Sequence, residues 1–218
     1  MRKIFSFLLT ALTVVFLTGC FDITEEITVK KNGAGQYVNK IDATKFAEQM
    51  QAFAAFDTTG EMIPKLKYSL DSTFSSTWSG YGKIKGISNV KIDTSKEYVY
   101  ILTMDFEEVS ALNAALSSTK GTTQDNLYSW EKGKISRKDL PINMGDMKME
   151  DESQKEMLKG FMQDMKYTII YHLPNDVKNV ENKESKISGD KKTVTLACNL
   201  LDVMDGKIKL SDAVVYKK

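Results

Sequence analysis

Phe21–Asp22–Ile23–Thr24–Glu25–Glu26–Ile27–Thr28–Val29–Lys30 alternates, with Ile23, Ile27 and Val29 set against Thr24, Glu26 and Thr28. A period of two marks a strand with one face buried. Lys31–Asn32–Gly33–Ala34–Gly35 follows, and Asn-Gly is the strongest short hairpin signal because tight hairpin turns need positive φ. Gln36–Ile41 returns as the second strand, and Asp42 is placed to cap a helix with Phe46, Met50, Phe53 and Ala54 on one face. The same order recurs downstream. Val90–Asp93 and Glu97–Met104 flank a Thr94–Ser95–Lys96 turn, and Asp105 is expected to cap a helix with Val109, Leu112 and Leu116 in register. A looser third copy runs through Leu127–Glu131, a Lys132–Gly133–Lys134 turn and Ile135–Asp139. A Met-containing loop then leads to Asp151 and a helical stripe of Met157, Leu158, Phe161, Met162 and Met165.

Between the first two copies lies a poorly patterned insert, Asp57–Gly86, in which Phe74, Trp78 and Tyr81 are spaced for a short helix rich in Ser and Thr. The C-terminal part reads as strand throughout: Tyr167–Leu173, Val177–Glu181, Ser185–Ser188, a Gly189–Asp190 turn and the β-branched Thr193–Leu200. The predicted fold class is α+β. It comprises an antiparallel sheet built from repeated hairpin–helix units, helices packed on one face, and an all-strand C-terminal portion. No Pro-, Gly- or Ser-rich linker divides the pieces, so residues 20–218 are expected to form a single domain.

Composition narrows the class without naming a task. The chain is 42% hydrophobic, 10% aromatic and 27% charged, with 3 Pro and 13 Gly among 218 residues. That excludes a disordered, collagen-like or disulfide-stapled protein. Lys and Arg number 30 against 29 Asp and Glu, and losing Arg2 and Lys3 would leave 28 against 29. Such a balance gives no electrostatic footprint for nucleic acid and no general attraction to anionic lipid.

The N-terminus carries the address. Met1–Arg2–Lys3 forms a positive n-region, and Ile4–Phe16 an apolar h-region too short to span a bilayer. Leu17–Thr18–Gly19–Cys20 then resembles the bacterial lipobox at all four positions: a branched apolar residue, two small residues and Cys. That resemblance implies a lipoprotein signal peptide over residues 1–19. Cys20 would then be the acylated N-terminus, carrying thioether-linked diacylglycerol and palmitate-type chains. Each buried CH₂ is worth roughly 0.8 kcal/mol, so two or three chains hold a protein on a membrane almost permanently. An ordinary secretory signal with an incidental Cys is the bland alternative. Phe21 at the next position, where Asp retains many lipoproteins at the inner membrane, favours the outer membrane in a cell that has one. No flexible tether follows Cys20, so the domain should sit against the lipid headgroups.

The order of elements also resembles the LppM-type domain of envelope lipoproteins. The motifs that carry this are Phe21–Asp22–Ile23–Thr24–Glu25–Glu26–Ile27 with its Lys31–Gly35 turn, and Tyr167–Thr168–Ile169–Ile170–Tyr171–His172–Leu173–Pro174–Asn175–Asp176–Val177. The resemblance implies a lipid-anchored α/β domain, some members being associated with lipid-like ligands, and brings no catalytic residues with it.

Residues able to do chemistry are few. His172, the single histidine, sits in a strand on the parity of Thr168 and Ile170, where a satisfied or rim-exposed histidine is expected rather than a base. Cys198 shares parity with Val194, Leu196 and Leu200, which places it in the core as an inert thiol. Glu150–Asp151–Glu152 lacks calcium-loop spacing, and no metal or other cofactor is expected. Two segments stand out as candidate ligand- or partner-binding surface: Trp78 and Tyr81 beside Gly80 and Gly82, and Met144, Met147 and Met149 alternating through a loop. Either they border one apolar groove or each covers an edge of the core. The expected function is a non-enzymatic, membrane-anchored envelope lipoprotein that binds a lipid-like ligand or a protein partner and no nucleic acid. A hydrolase acting on envelope material is the alternative.

Overall fold

A computed structural model describes residues 21–54, 57, 59–118, 126–139, 156, 159–160 and 162–218. Its elements make an α+β fold of two mostly antiparallel sheets, with four helices among the described residues. The first sheet has seven strands in the order β3-β4-β2-β1-β7-β10-β9. These are β1 (Asp22–Val29), β2 (Gly35–Asp42), β3 (Ile87–Asp93), β4 (Val99–Phe106), β7 (Lys166–His172), β9 (Lys186–Ile187) and β10 (Thr193–Asn199). The second sheet has four, in the order β5-β6-β11-β8: β5 (Tyr128–Glu131), β6 (Lys134–Arg137), β8 (Val177–Val180) and β11 (Asp212–Tyr216).

The first hairpin forms where the alternation puts it. Asp22 pairs with Asp42 and Val29 with Gly35 in unbroken antiparallel register. Gly33 takes φ +88°, and a Cβ there would lie 2.8 Å from the Trp130 ring. The turn therefore needs glycine for both its backbone and its neighbour. The second hairpin, β3–β4, docks beside it through β2. The third does not extend this sheet. β5 and β6 found the second sheet, so the hairpin–helix theme is split between two layers. One pairing in the first sheet is parallel: β1 runs alongside β7, joining the N- and C-terminal halves.

The helices correct several expectations. α1 (Thr44–Ala54) starts as the sequence suggests, with Asp42 Oδ1 accepting from the Thr44 N–H at 3.2 Å. α2 (Met62–Ser79) is 18 residues long, where a short helix was expected. Its Ser/Thr-rich end is a poor helix former, but Phe74 packs on Tyr100 at 4.6 Å and on Trp78 at 5.4 Å, and burial outweighs propensity. α3 (Val109–Ser117) begins after Glu108, not at Asp105, whose carboxylate accepts from Gln36 and Asn89 side chains instead. The C-terminal part is not all strand: α4 (Leu200–Met204) follows β10, with Asn199 Oδ1 capping the Leu201 N–H at 2.8 Å. The Phe53 side chain and most of the stripe after Asp151 lie outside the described residues.

One hydrophobic cluster runs between the layers. It joins Ile27, Tyr37, Leu102 and Ile169 of the first sheet to Tyr128, Ile135 and Val214 of the second. The opposite face of the first sheet is mixed and carries Thr24, Glu26, Thr168 and His172 beside Val38 and Ile170. α3 seals the β5 edge of the second sheet in an unusual way. Asn113 donates to the Tyr128 carbonyl at 2.7 Å and accepts from the Tyr128 N–H at 2.9 Å, so a side-chain amide takes the place of a neighbouring strand. Asn113→Ala would leave both buried backbone groups without partners. It is expected to cost about 2 kcal/mol or more in urea denaturation; a loss below about 0.5 kcal/mol would contradict this role.

Candidate functional site

Glu25 shares its parity on β1 with Ile23 and Ile27, so its carboxylate points into the core, and the residue is 5% exposed. Arg137 shares the parity of Ile135 on β6 and is 2% exposed. The two meet between the sheets with Arg137 Nε 3.8 Å from Glu25 Oε2, and a hydroxyl bridges them. Tyr128 donates to Glu25 Oε2 at 2.6 Å and accepts from Arg137 Nε at 3.2 Å. The Tyr167 hydroxyl donates to Glu25 Oε1, and Arg137 also donates to the carbonyls of Leu210 at 3.1 Å and Lys138 at 3.3 Å. Burial, reinforced by the Glu25 charge, pushes the Tyr128 and Tyr167 hydroxyls well above the ordinary tyrosine range. For Arg137 burial acts downward, but Tyr128 and Glu25 overcome it and hold the guanidinium charged.

Asp212, paired with Arg137 across β6 and β11, forms a second buried knot. Its Oδ1 accepts from the N–H groups of Glu181 at 3.1 Å and Asn182 at 2.9 Å, and its Oδ2 from the Ser185 hydroxyl at 2.5 Å. Asn182 reaches onward, donating to the carbonyls of Lys209 and Ser211, both at 2.9 Å. The 181–184 turn and the 207–211 segment are thereby tied together.

Between these two walls, on the outer side of β6 and β11, opens a cavity of about 510 Å³. Lys134, Ser136 and Ala213 line it along the strands, and Lys183, Lys207 and Lys209 along the walls. Its size is in the range of small-ligand sites, but its lining is polar rather than apolar. This groove, with the buried knots beside it, is a candidate place for a ligand.

The residues expected from sequence to bind are elsewhere. Trp78 and Tyr81 are 5% and 3% exposed, on the last turn of α2 and the 3-10 turn after it, so both rings pack into the core. Apolar rings beside glycines pack inward here because α2 lies over the Tyr100 side of the first sheet. Cys20, Met144, Met147 and Met149 lie outside the described residues. His172 Nε2 is 3.3 Å from Glu26 Oε2 on the mixed face of the first sheet. Cys198 is buried, its thiol facing the Tyr167 carbonyl at 3.6 Å, and burial pushes its pKa up to about 11. Among the described residues no group of three His, Cys, Asp or Glu could hold a metal ion.

No protein-family model and no curated protein matches the chain. Among solved structures, it is similar to the folded domain of LppM from Mycobacterium tuberculosis, determined by NMR, with a TM-score of 0.41 and 8% identity over 92% of each chain.

Two tyrosines near Arg137 separate bonded from unbonded burial. Tyr128 bridges the ion pair, whereas the Tyr171 hydroxyl is buried without a partner among the described residues. Tyr128→Phe is expected to lower stability by about 1–3 kcal/mol, and Tyr171→Phe to leave it within about 0.5 kcal/mol or raise it. Chemical denaturation of both variants checks this; equal losses would show that the bridge contributes nothing specific.

Proposed function

We propose that this chain is a lipid-anchored protein of the cell envelope that binds its ligand without transforming it. What supports the reading is Leu17–Thr18–Gly19–Cys20, which resembles a lipobox at all four positions and directly precedes the first residue of the fold. Phe21 already stacks on Phe46 of α1 at 4.8 Å, and Asp22 is already paired in β1. With Leu17–Thr18–Gly19–Cys20 read as a lipobox, residues 1–19 are a signal peptide, Cys20 carries the acyl chains, and the sheet begins at the headgroups. Phe21 after the cysteine favours the outer membrane where the cell has one. Among the described residues no helix is long and apolar enough to cross a membrane, which is compatible with an anchor made of lipid.

Support for binding over catalysis comes from the residues themselves. His172 is engaged with a carboxylate on the mixed face of the first sheet, and Cys198 is a buried thiol with a raised pKa, which disfavours the reactive thiolate. The groove on the second sheet is the place for a lipid-like ligand or a segment of a partner protein. Cys20→Ser tests the anchor. It is expected to abolish incorporation of radiolabelled palmitate and to move the protein from the membrane fraction to the soluble fraction. Unchanged labelling in that variant would overturn the localisation.

A further inference from the structure

We infer that the groove on the outer face of the second sheet is a site for a phosphate group, held by Lys134, Lys183 and Lys209. The charges lining the cavity divide into those already committed and those still available. Arg137 is spent on Glu25 and Tyr128, and Asp212 on the backbone of the 181–184 turn. Lys207 is ion-paired with Asp205 at 2.9 Å and Asp202 at 3.3 Å. Lys134, Lys183 and Lys209 remain, none of them in an ion pair among the described residues, against two exposed carboxylates, Glu181 and Glu184. Ser136 and Ser211 add hydroxyl donors at the cavity wall.

The second observation is how firmly the lysines are carried. Lys183 and Lys209 sit on separate segments, and the Asn182 amide bonds one to the other through the carbonyls of Lys209 and Ser211. Asp212 then anchors the turn to β11 from below. A buried carboxylate and an amide are used to hold two cationic segments side by side over an open sheet face. Such preorganisation lowers the ordering cost of binding a compact anion, and lysine is a common phosphate donor.

Phosphate could arrive as a phospholipid headgroup or as a soluble phosphate ester. Placement relative to the anchor makes the first accessible, and this part rests on the anchored reading above. Asp22, Lys166 and Asn199 stand in register at one end of the first sheet, so the chain leaves Cys20 at the end from which α4 and then Lys207–Lys209 depart.

The test uses the full chain purified in a non-ionic detergent. Glycerol 3-phosphate is titrated in one arm. In the other, the detergent micelles are doped with phosphatidylglycerol or with zwitterionic phosphatidylcholine. Binding in either arm, weakened at least tenfold by the double variant Lys183→Gln and Lys209→Gln, is the expected result, provided that variant melts at the parent temperature. Response to glycerol 3-phosphate identifies a soluble ester; response to phosphatidylglycerol alone identifies the headgroup. No binding in either arm, or binding equally strong in the variant, would overturn the phosphate site. Should the double variant melt lower, Lys134→Gln is read by the same criterion. Acylation at Cys20 is measured separately, so the site and the anchor can fail independently.

Discussion

A carboxylate on the buried face of β1 has to find a cation, and Arg137 on β6 is where it finds one. Leaving either charge alone between the sheets would cost several kcal/mol, because a dry interior neither solvates nor screens it. Glu25 therefore fixes which face of the first sheet the second must cover, and Arg137 fixes the register of the cover. The Tyr128 and Tyr167 hydroxyls, one from each sheet, complete the coordination of the carboxylate. Apolar packing around them supplies the larger share of burial, but it is non-directional. The polar cluster is what makes one arrangement of the two layers preferable to a neighbouring one.

The groove is a consequence of that arrangement. Arg137 and Asp212 face inward from β6 and β11, so their strand neighbours Ser136, Lys134 and Ala213 must face outward. The inner residues are fully occupied with holding the sheets and the turn. Among the outer ones Lys134 and Ser136 are half-buried and line the groove, and Ala213 forms part of its floor at 3% exposure. Arg137 and Asp212 also border the groove, so the residues that hold the sheets and the turn lie directly beside those that would meet a ligand.

The sequence made the first hairpin, the α1 start and the burial of Cys198 legible, because each rests on a local pattern: alternation, an Asn-Gly turn, or a shared parity. The long α2 was less legible: the Phe74, Trp78 and Tyr81 spacing marks only its end, Ser75, Ser76 and Thr77 argue against a helix, and Tyr100, brought from another strand, supplies the packing that favours one. β11 escaped for a different reason. Asp212–Ala213–Val214–Val215–Tyr216 shows no alternation because the strand is central and buried on both faces for most of its length. Glu25 and Arg137 did leave a trace, each a charge on the apolar parity of its strand. Their meeting could not be read, because 112 residues of chain separate the two positions. The rings of Trp78 and Tyr81 turn inward for the same kind of reason: α2, which ends in Trp78 and leads into Tyr81, packs on a distant strand.

The most direct measurement is a double-mutant cycle on the buried pair, with Glu25→Gln, Arg137→Met and both together, followed by chemical denaturation. Each single change is expected to cost about 3–5 kcal/mol, since it leaves the other charge buried and unmatched. The double variant should lose clearly less than the sum, giving a coupling above about 1 kcal/mol. Single losses under about 1 kcal/mol that simply add would show that the two sheets are held by apolar packing alone.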